Sequence, residues 1–246
     1  MNLQVLSSGS QGNCYLLETE KETLIIECGI KWREIKKALH FDFSKVIGCL
    51  CSHCHKDHSK ALQDVLKTGI DIYCSKGTAD ALNITGHRIK NIQALKQYRI
   101  GDFVILPFPT EHDAPESLGF LIQYLPTGEK LLFATDTYYI RNKFIGLNYI
   151  MVECNYIRDT LDANIEAGII PEGLRSRLLQ SHFELNNVKE FLKANDLSQC
   201  RKIILLHLSS SNSDAKRMVK EVNNLTGIDT VIADAGVEVE LEMFPF

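Results

Sequence analysis

No stretch of this 246-residue chain stays apolar long enough to cross a membrane. The longest apolar runs, such as Lys202-Ile-Ile-Leu-Leu-His207, fall far short of about 18 residues. Charge of neither sign dominates: 27 Lys and Arg against 31 Asp and Glu leave a formal net charge of −4. That excludes a strong global attraction for polyanions, so nucleic-acid binding would need a local patch or bound metal. The segment Met1-Asn-Leu-Gln-Val5 lacks a basic stretch followed by an apolar one, and no secretory leader is read there. The eight cysteines are therefore expected as reduced thiols of a cytoplasmic protein. Cys51-Ser-His-Cys54 has no second cysteine pair, which argues against a zinc ribbon. Repeats, linkers and low-complexity tracts are missing too. What remains is ordinary globular composition, 45% apolar and 24% charged, and one domain over 1–246 is expected.

The order of elements is informative. Short strands are expected over 5–6, 13–18 and 23–26, broken by Gly9, Gly12 and the charged turn Glu20-Lys21-Glu22. A helix over 31–39 carries Trp32, Ile35 and Leu39 at helical spacing. The unbroken apolar run 46–51 reads as a buried strand. A helix over 59–67 and a strand over 70–74 follow. The middle is strand-rich, over 103–108, 118–125, 130–134 and 150–153. Helices are expected over 158–167, 173–180 and 186–194, then a strand over 202–206, a helix over 214–224 and strands near Val231 and over 237–241. Strands in two clusters with helices in both halves predict an α/β sandwich of two sheets with helices outside.

The strongest chemical signal is Ser52-His53-Cys54-His55-Lys56-Asp57-His58-Ser59, directly after a buried strand. Neutral imidazole and carboxylate are good ligands for zinc, iron or manganese. His53 and His55 are two apart, so an extended segment points both to one side. Asp57 and His58 follow at a helix start and can turn back to a second point. The pattern supplies two ligand pairs, which suits two metals. A solvated His-rich loop is the plainer alternative, but packing alone gains little from three adjacent imidazoles.

Two ions need further ligands from strand ends facing the same cleft. His112 in Pro109-Thr-Glu-His-Asp, Asp136 in Phe133-Ala-Thr-Asp-Thr and His207 in Leu205-Leu-His-Leu-Ser all sit where a strand gives way to a loop. Singly, each reads as easily as a structural histidine or an Asx-turn. Jointly, after the histidine cluster, they read as ligands.

With these residues in this order, the sequence resembles the metallo-β-lactamase fold superfamily of dinuclear metallohydrolases. Ser7-Ser-Gly-Ser-x-Gly-Asn-Cys14, Glu111-His-Asp-Ala-x-Glu-Ser-Leu-Gly119, Ala134-Thr-Asp-Thr137 and Leu206-His-Leu-Ser-x-x-Asn212 support the likeness. It is most similar to small single-domain bacterial and phage members linked to exonuclease activity. The resemblance implies a four-layer αββα sandwich with two mixed sheets. It also implies that His53, His55 and His112 hold one divalent ion (zinc or manganese, with iron possible) and that Asp57, His58 and His207 hold the other, with Asp136 bridging. Two ions about 3.5–4 Å apart can supply a metal-bound hydroxide and stabilise both oxygens of an in-line displacement. The expected function is a phosphodiesterase or exonuclease acting on nucleic-acid ends, of single-stranded DNA or RNA. The alternative is a small-molecule hydrolase for a cyclic phosphodiester, thioester or lactone.

His182, in Gln180-Ser-His-Phe-Glu184, matches the position of a substrate-facing histidine in phosphodiesterase relatives. With Asp57 it is a candidate catalytic residue, holding a phosphate oxygen or protonating the leaving alkoxide. Three departures from the family stand out. Ile25-Ile-Glu27-Cys-Gly29 carries Glu where most relatives carry Asp, and Glu27 is expected to support a ligand imidazole from behind. Glu153-Cys-Asn-Tyr156 lacks a histidine found in many relatives, and Cys54 stands between the first two ligands. Between Asp136 and His207 about three helices are expected and no β-CASP cap. Lys31, Arg33, Lys56, Lys60, Arg141, Lys143, Arg158, Arg175 and Arg177 are the cations available for phosphate.

Overall fold

The computed structural model describes residues 1–241. Chain order is β1 (Asn2–Ser7), β2 (Cys14–Glu18), β3 (Thr23–Ile26), α1 (Trp32–Ala38), β4 (Val46–Leu50), α2 (Lys56–Ser59), α3 (Leu62–Lys67), β5 (Ile72–Cys74), α4 (Lys76–Ala81), β6 (Ile89–Asn91) and β7 (Tyr98–Ile100). Then come β8 (Phe103–Pro109), β9 (Leu118–Tyr124), β10 (Lys130–Ala134), β11 (Tyr149–Glu153), α5 (Arg158–Glu166), α6 (Glu172–Ser181), α7 (Leu185–Ala194), β12 (Lys202–Leu206), α8 (Ala215–Thr226), β13 (Asp229–Ile232) and β14 (Glu238–Glu240).

Two seven-stranded sheets form, ordered β14-β1-β2-β3-β4-β5-β6 and β13-β12-β11-β10-β9-β8-β7. Both are mixed. In the first, β1 to β3 pair antiparallel and β3 to β6 parallel; in the second, β7 to β10 pair antiparallel and β10 to β13 parallel. Strand alternation feeds three apolar layers. On β3, Leu24 and Ile26 enter the layer between the sheets, while Ile25 packs under α1 and α3. On β12, Ile204 and Leu206 face the other sheet, while Ile203 and Leu205 face α7 and α8. Such strands are buried on both faces, which is why they read as continuous apolar runs. The layers stack as helices, sheet, sheet, helices, the αββα sandwich expected.

Several boundaries differ from the sequence reading. The helix expected over 59–67 is two, α2 and α3, parted at Lys60–Ala61. The Ala61 N–H is drawn out to the Cys28 carbonyl at 2.8 Å, a long-range bond no local pattern announces. Expected strand 70–74 shortens to β5. The short elements α4, β6 and β7 went unread. Ser75 caps α4, its Oγ accepting from the Thr78 N–H at 3.0 Å, and that capping residue was the available signal. All eight cysteines are free thiols. Among the described residues no helix is long and apolar enough to cross a membrane.

Candidate metal centre

The expected ligands meet at one edge of the sandwich, where β3, β4, β10, β11 and β12 end. His53 to His58 run from the end of β4 into α2. His112 follows β8, Asp136 follows β10, Glu153 closes β11 and His207 follows β12. Three of these strand ends carry a non-glycine residue in left-handed backbone: Glu27 (φ 63°), Asp136 (φ 44°) and His207 (φ 53°). That conformation is costly for such residues and collects where surrounding structure imposes it, commonly at functional sites.

His53, His55 and His112 form a nearly equilateral triangle of rings, with centroids 4.8, 4.7 and 4.9 Å apart. Each of the first and third is aimed from behind. His53 Nδ1 lies 2.9 Å from the Ser52 hydroxyl, and His112 Nδ1 lies 3.1 Å from the Ser181 carbonyl. Their Nε2 atoms lie 3.8 and 3.7 Å from Asp136 Oδ2. His58 Nε2 lies 3.4 Å from the same oxygen and 3.5 Å from Asp57 Oδ2. Behind it, His58 Nδ1 lies 3.3 Å from Glu27 Oε2, while Glu27 Oε1 accepts the Ser52 N–H at 3.0 Å. The longer carboxylate thus stands where support for a ligand imidazole was expected. Asn13, within the quoted Ser7 to Cys14 segment, lies 3.1 Å from His58 Nε2 through Nδ2.

His207 Nδ1 lies 2.5 Å from Asp136 Oδ1 and 3.2 Å from Glu153 Oε1, with Nε2 3.9 Å from Asp57. His182 Nδ1 lies 2.7 Å from Glu153 Oε1. The donor atoms fall into three overlapping groups: His53, His55, His112 and Asp136; Asp57, His58 and Asp136; and Asp136, Glu153, His182 and His207. Asp136 belongs to all three. Cys54 belongs to none of them. Glu153 was not read as a site residue: a carboxylate closing the apolar strand Tyr-Ile-Met-Val looks like a strand terminus. The missed signal was full burial of an acid, which demands partners.

Electrostatics divide the imidazoles. Burial pushes the pKa of His53 well down and that of His112 down, leaving neutral rings suited to coordination. Burial also opposes charge on His58, but Asp136, Asp57 and Glu27 outweigh it and hold its pKa well above the ordinary value. At His207 burial is likewise overcome by Asp136 and Glu153, which raise the pKa to about 10. At Asp136 burial is outweighed by His207 and His58, which keep the carboxyl well below its usual range.

The donor set fits divalent ions. The buried Nε2 atoms of His53 and His207 have no hydrogen-bond partner, an arrangement that costs free energy unless a ligand satisfies them. The surrounding cleft is about 340 Å³ and is lined by His55, Asp57, His112, Asp136, His182 and His207, with Ser10, Asn155, Arg177 and Ser209 at its walls.

Known proteins resemble this chain in sequence and in fold. The family profile described as "Beta-lactamase superfamily domain" matches residues 22–208. "Exodeoxyribonuclease WalJ" of Streptococcus pneumoniae is 25% identical over 256 residues, spanning 98% of this chain and 92% of that protein. "Exodeoxyribonuclease YycJ" of Bacillus anthracis is 26% identical over 231 residues, spanning 87% and 84%. The crystal structure of the metallo-β-lactamase fold protein YhfI from Bacillus subtilis superposes with a TM-score of 0.73 at 15% identity, covering 97% of this chain and 99% of that one.

Proposed function

The chain belongs to the β-lactamase superfamily domain family and is a metal-dependent hydrolase, and from that premise we propose that it cleaves phosphodiester bonds at the ends of single-stranded nucleic acid. The observation that carries this reading is the overlap of three donor groups on one buried carboxylate, Asp136. A shared carboxylate between donor sets suits two ions rather than one. Glu27, Asp57, Asp136 and Glu153 also bring four negative charges to the edge, which two divalent cations balance. We assign His53, His55 and His112 to one ion and Asp57, His58 and His207 to the other, with Asp136 bridging. Imidazole and carboxylate donors suit zinc or manganese. The 1–246 chain is read as one catalytic domain.

Divalent ions in this site would supply Lewis acidity, activating water and neutralising charge on a phosphoryl group. The chain supplies the rest. Asp57 lines the cleft and keeps 24% of its side chain exposed, the most open carboxylate among the donors, so it can orient the attacking water and accept its proton. His182 lines the same cleft. Its Nδ1 is committed to Glu153, leaving Nε2 to hold or protonate the leaving oxygen. Burial opposes its charge, but Glu153 raises its pKa, so it keeps a proton to donate.

The test is a substrate panel with the metal-loaded protein: single-stranded DNA, RNA, a cyclic nucleotide, a thioester and bis-p-nitrophenyl phosphate. Turnover of end-labelled strands, abolished by Asp136→Asn and by His55→Ala, is expected. A preference for the thioester or cyclic nucleotide over every strand would replace the nuclease reading by a small-molecule hydrolase. A metal content of one ion or none, unchanged by His58→Ala, would end the two-ion assignment.

A further inference from the structure

We infer that the strand approaches the centre across an unpaired basic rim made by Lys31, Arg33, Lys56 and Lys60, where the segment entering α1 meets α2. The inference rests on the nucleic-acid reading above and adds where the polymer lies. The segment entering α1 is pressed against α2. The Cys28 N–H donates to the His58 carbonyl at 2.9 Å, and the Ala61 N–H donates to the Cys28 carbonyl at 2.8 Å. A Cβ at Gly29 would sit 1.6 Å from the Asp57 carbonyl oxygen, so only glycine allows this approach. The contact gathers cations from two separate stretches. Lys31 lies two residues beyond Gly29, Lys60 precedes Ala61, and Lys56 stands between the cleft-lining His55 and Asp57.

All four cations are exposed, and none has an ion-pair partner among the described residues. The nearby acids are already committed elsewhere, Glu34 to Lys37 at 3.3 Å and Asp64 to Lys67 at 3.6 Å. Around α6 and the loop after β10 three cations are matched: Arg141 pairs with Glu111, Arg175 with Asp162 and Arg177 with Asp113, at 2.5, 2.9 and 3.7 Å, while Lys143 and Arg158 have no ion pair among the described residues. Cations matched by acids offer little net field, whereas uncompensated ones on one side of an otherwise acidic chain steer a polyanion to that side. Three of the four are lysines, flexible point charges that follow a sugar-phosphate backbone without reading bases. The cleft, about 340 Å³, is of small-ligand size and admits a strand end rather than a duplex.

The experiment measures binding rather than turnover. A fluorescent single strand with phosphorothioate linkages, which resist cleavage, is titrated with the metal-loaded full chain at several salt concentrations. The variant is Lys31→Gln/Arg33→Gln/Lys56→Gln/Lys60→Gln. The control is Lys21→Gln/Lys45→Gln, at the opposite end of β2 and β4. For the rim variant the slope of log Kd against log salt is expected to become shallower by about 0.7 per cation removed, which removes about a fifty-fold salt effect between about 50 and about 200 mM. The control is expected to keep the native slope. Turnover of bis-p-nitrophenyl phosphate should be equal in all three proteins, which reports an intact fold and centre. Native affinity and slope in the rim variant, or equal losses in rim and control, would overturn the inference. Rim-dependent binding without cleavage of any natural strand would leave it standing and remove the nuclease reading instead.

Discussion

The two sheets are built on one plan, three antiparallel pairings followed by three parallel ones, yet they furnish the site in opposite ways. The first sheet delivers His53, His55, Asp57 and His58 from one loop after β4. The second delivers His112, Asp136, Glu153 and His207 one at a time, from the ends of four strands. A loop can place four donors through local backbone geometry. Single donors converge only if strand register across β8 to β12 is correct. The first half therefore carries the recognisable signature, while the second carries the cooperative part of the centre: Asp136, common to every donor group, comes from it.

The largest expected effect tests that asymmetry directly. Asp136→Asn should cut hydrolysis of bis-p-nitrophenyl phosphate by about 10³-fold or more, since it removes the charge on which both donor sets converge. Bound metal, measured by inductively coupled plasma mass spectrometry, should fall by more than one equivalent. His53→Ala, in the loop-supplied half, should cost no more than one equivalent. Equal metal loss in both variants would mean that the second sheet has no special share in the centre.

A smaller effect is expected where the second half provides proton chemistry. His182→Ala should lower kcat by about 10²-fold with metal content intact. Glu153→Gln should cost about tenfold, in keeping with a support behind another residue. The pH profile separates the two roles. A general acid works while protonated, so activity is lost as pH rises through its pKa. Glu153 holds the pKa of His182 up, so Glu153→Gln should move the alkaline limb to lower pH. An unmoved limb would remove His182 from the acid role.

What could be read from the linear chain follows the same division. His53 to His58 are contiguous, so their joint chemistry is visible without a fold. His112, Asp136 and His207 became readable only as a set, each sitting past an apolar run. Glu153 stayed hidden because its meaning lies in His182 and His207, each tens of residues away. The break between α2 and α3 stayed hidden for the same reason, being made by a bond from Ala61 to Cys28. Elements of three residues, β6 and β7, hold too few side chains to show a period. Glu27 is the intermediate case. Its position after β3 was legible, but its contact with His58 Nδ1 needed the sheet, and Glu27→Gln should weaken metal binding by about tenfold.

The smallest effect on the centre is expected at the far end of the second sheet. Glu129, 3% exposed, accepts from the Tyr149 hydroxyl at 2.8 Å, from the Thr127 hydroxyl and from the Arg201 guanidinium, which also lies 5.0 Å from the Tyr149 ring. Tyr149 opens β11 and Arg201 precedes β12, so this cluster ties together the starts of the strands whose ends carry Glu153 and His207. Arg201→Ala leaves a buried carboxylate with neutral donors only, and should destabilise the fold by about 2–3 kcal/mol in denaturant unfolding. If register is set along the whole of β11 and β12, the four or five residues of strand between cluster and centre hold Glu153 and His207 in place, and metal content and kcat should stay native below the melting transition. A variant that keeps its stability but loses an equivalent of metal would show the reverse, that strand-end donors depend on anchoring at the opposite edge. The matching change in the first half, Lys45→Ala beneath β4, removes only an exposed bond to the Glu20 carbonyl and should leave both readouts unchanged.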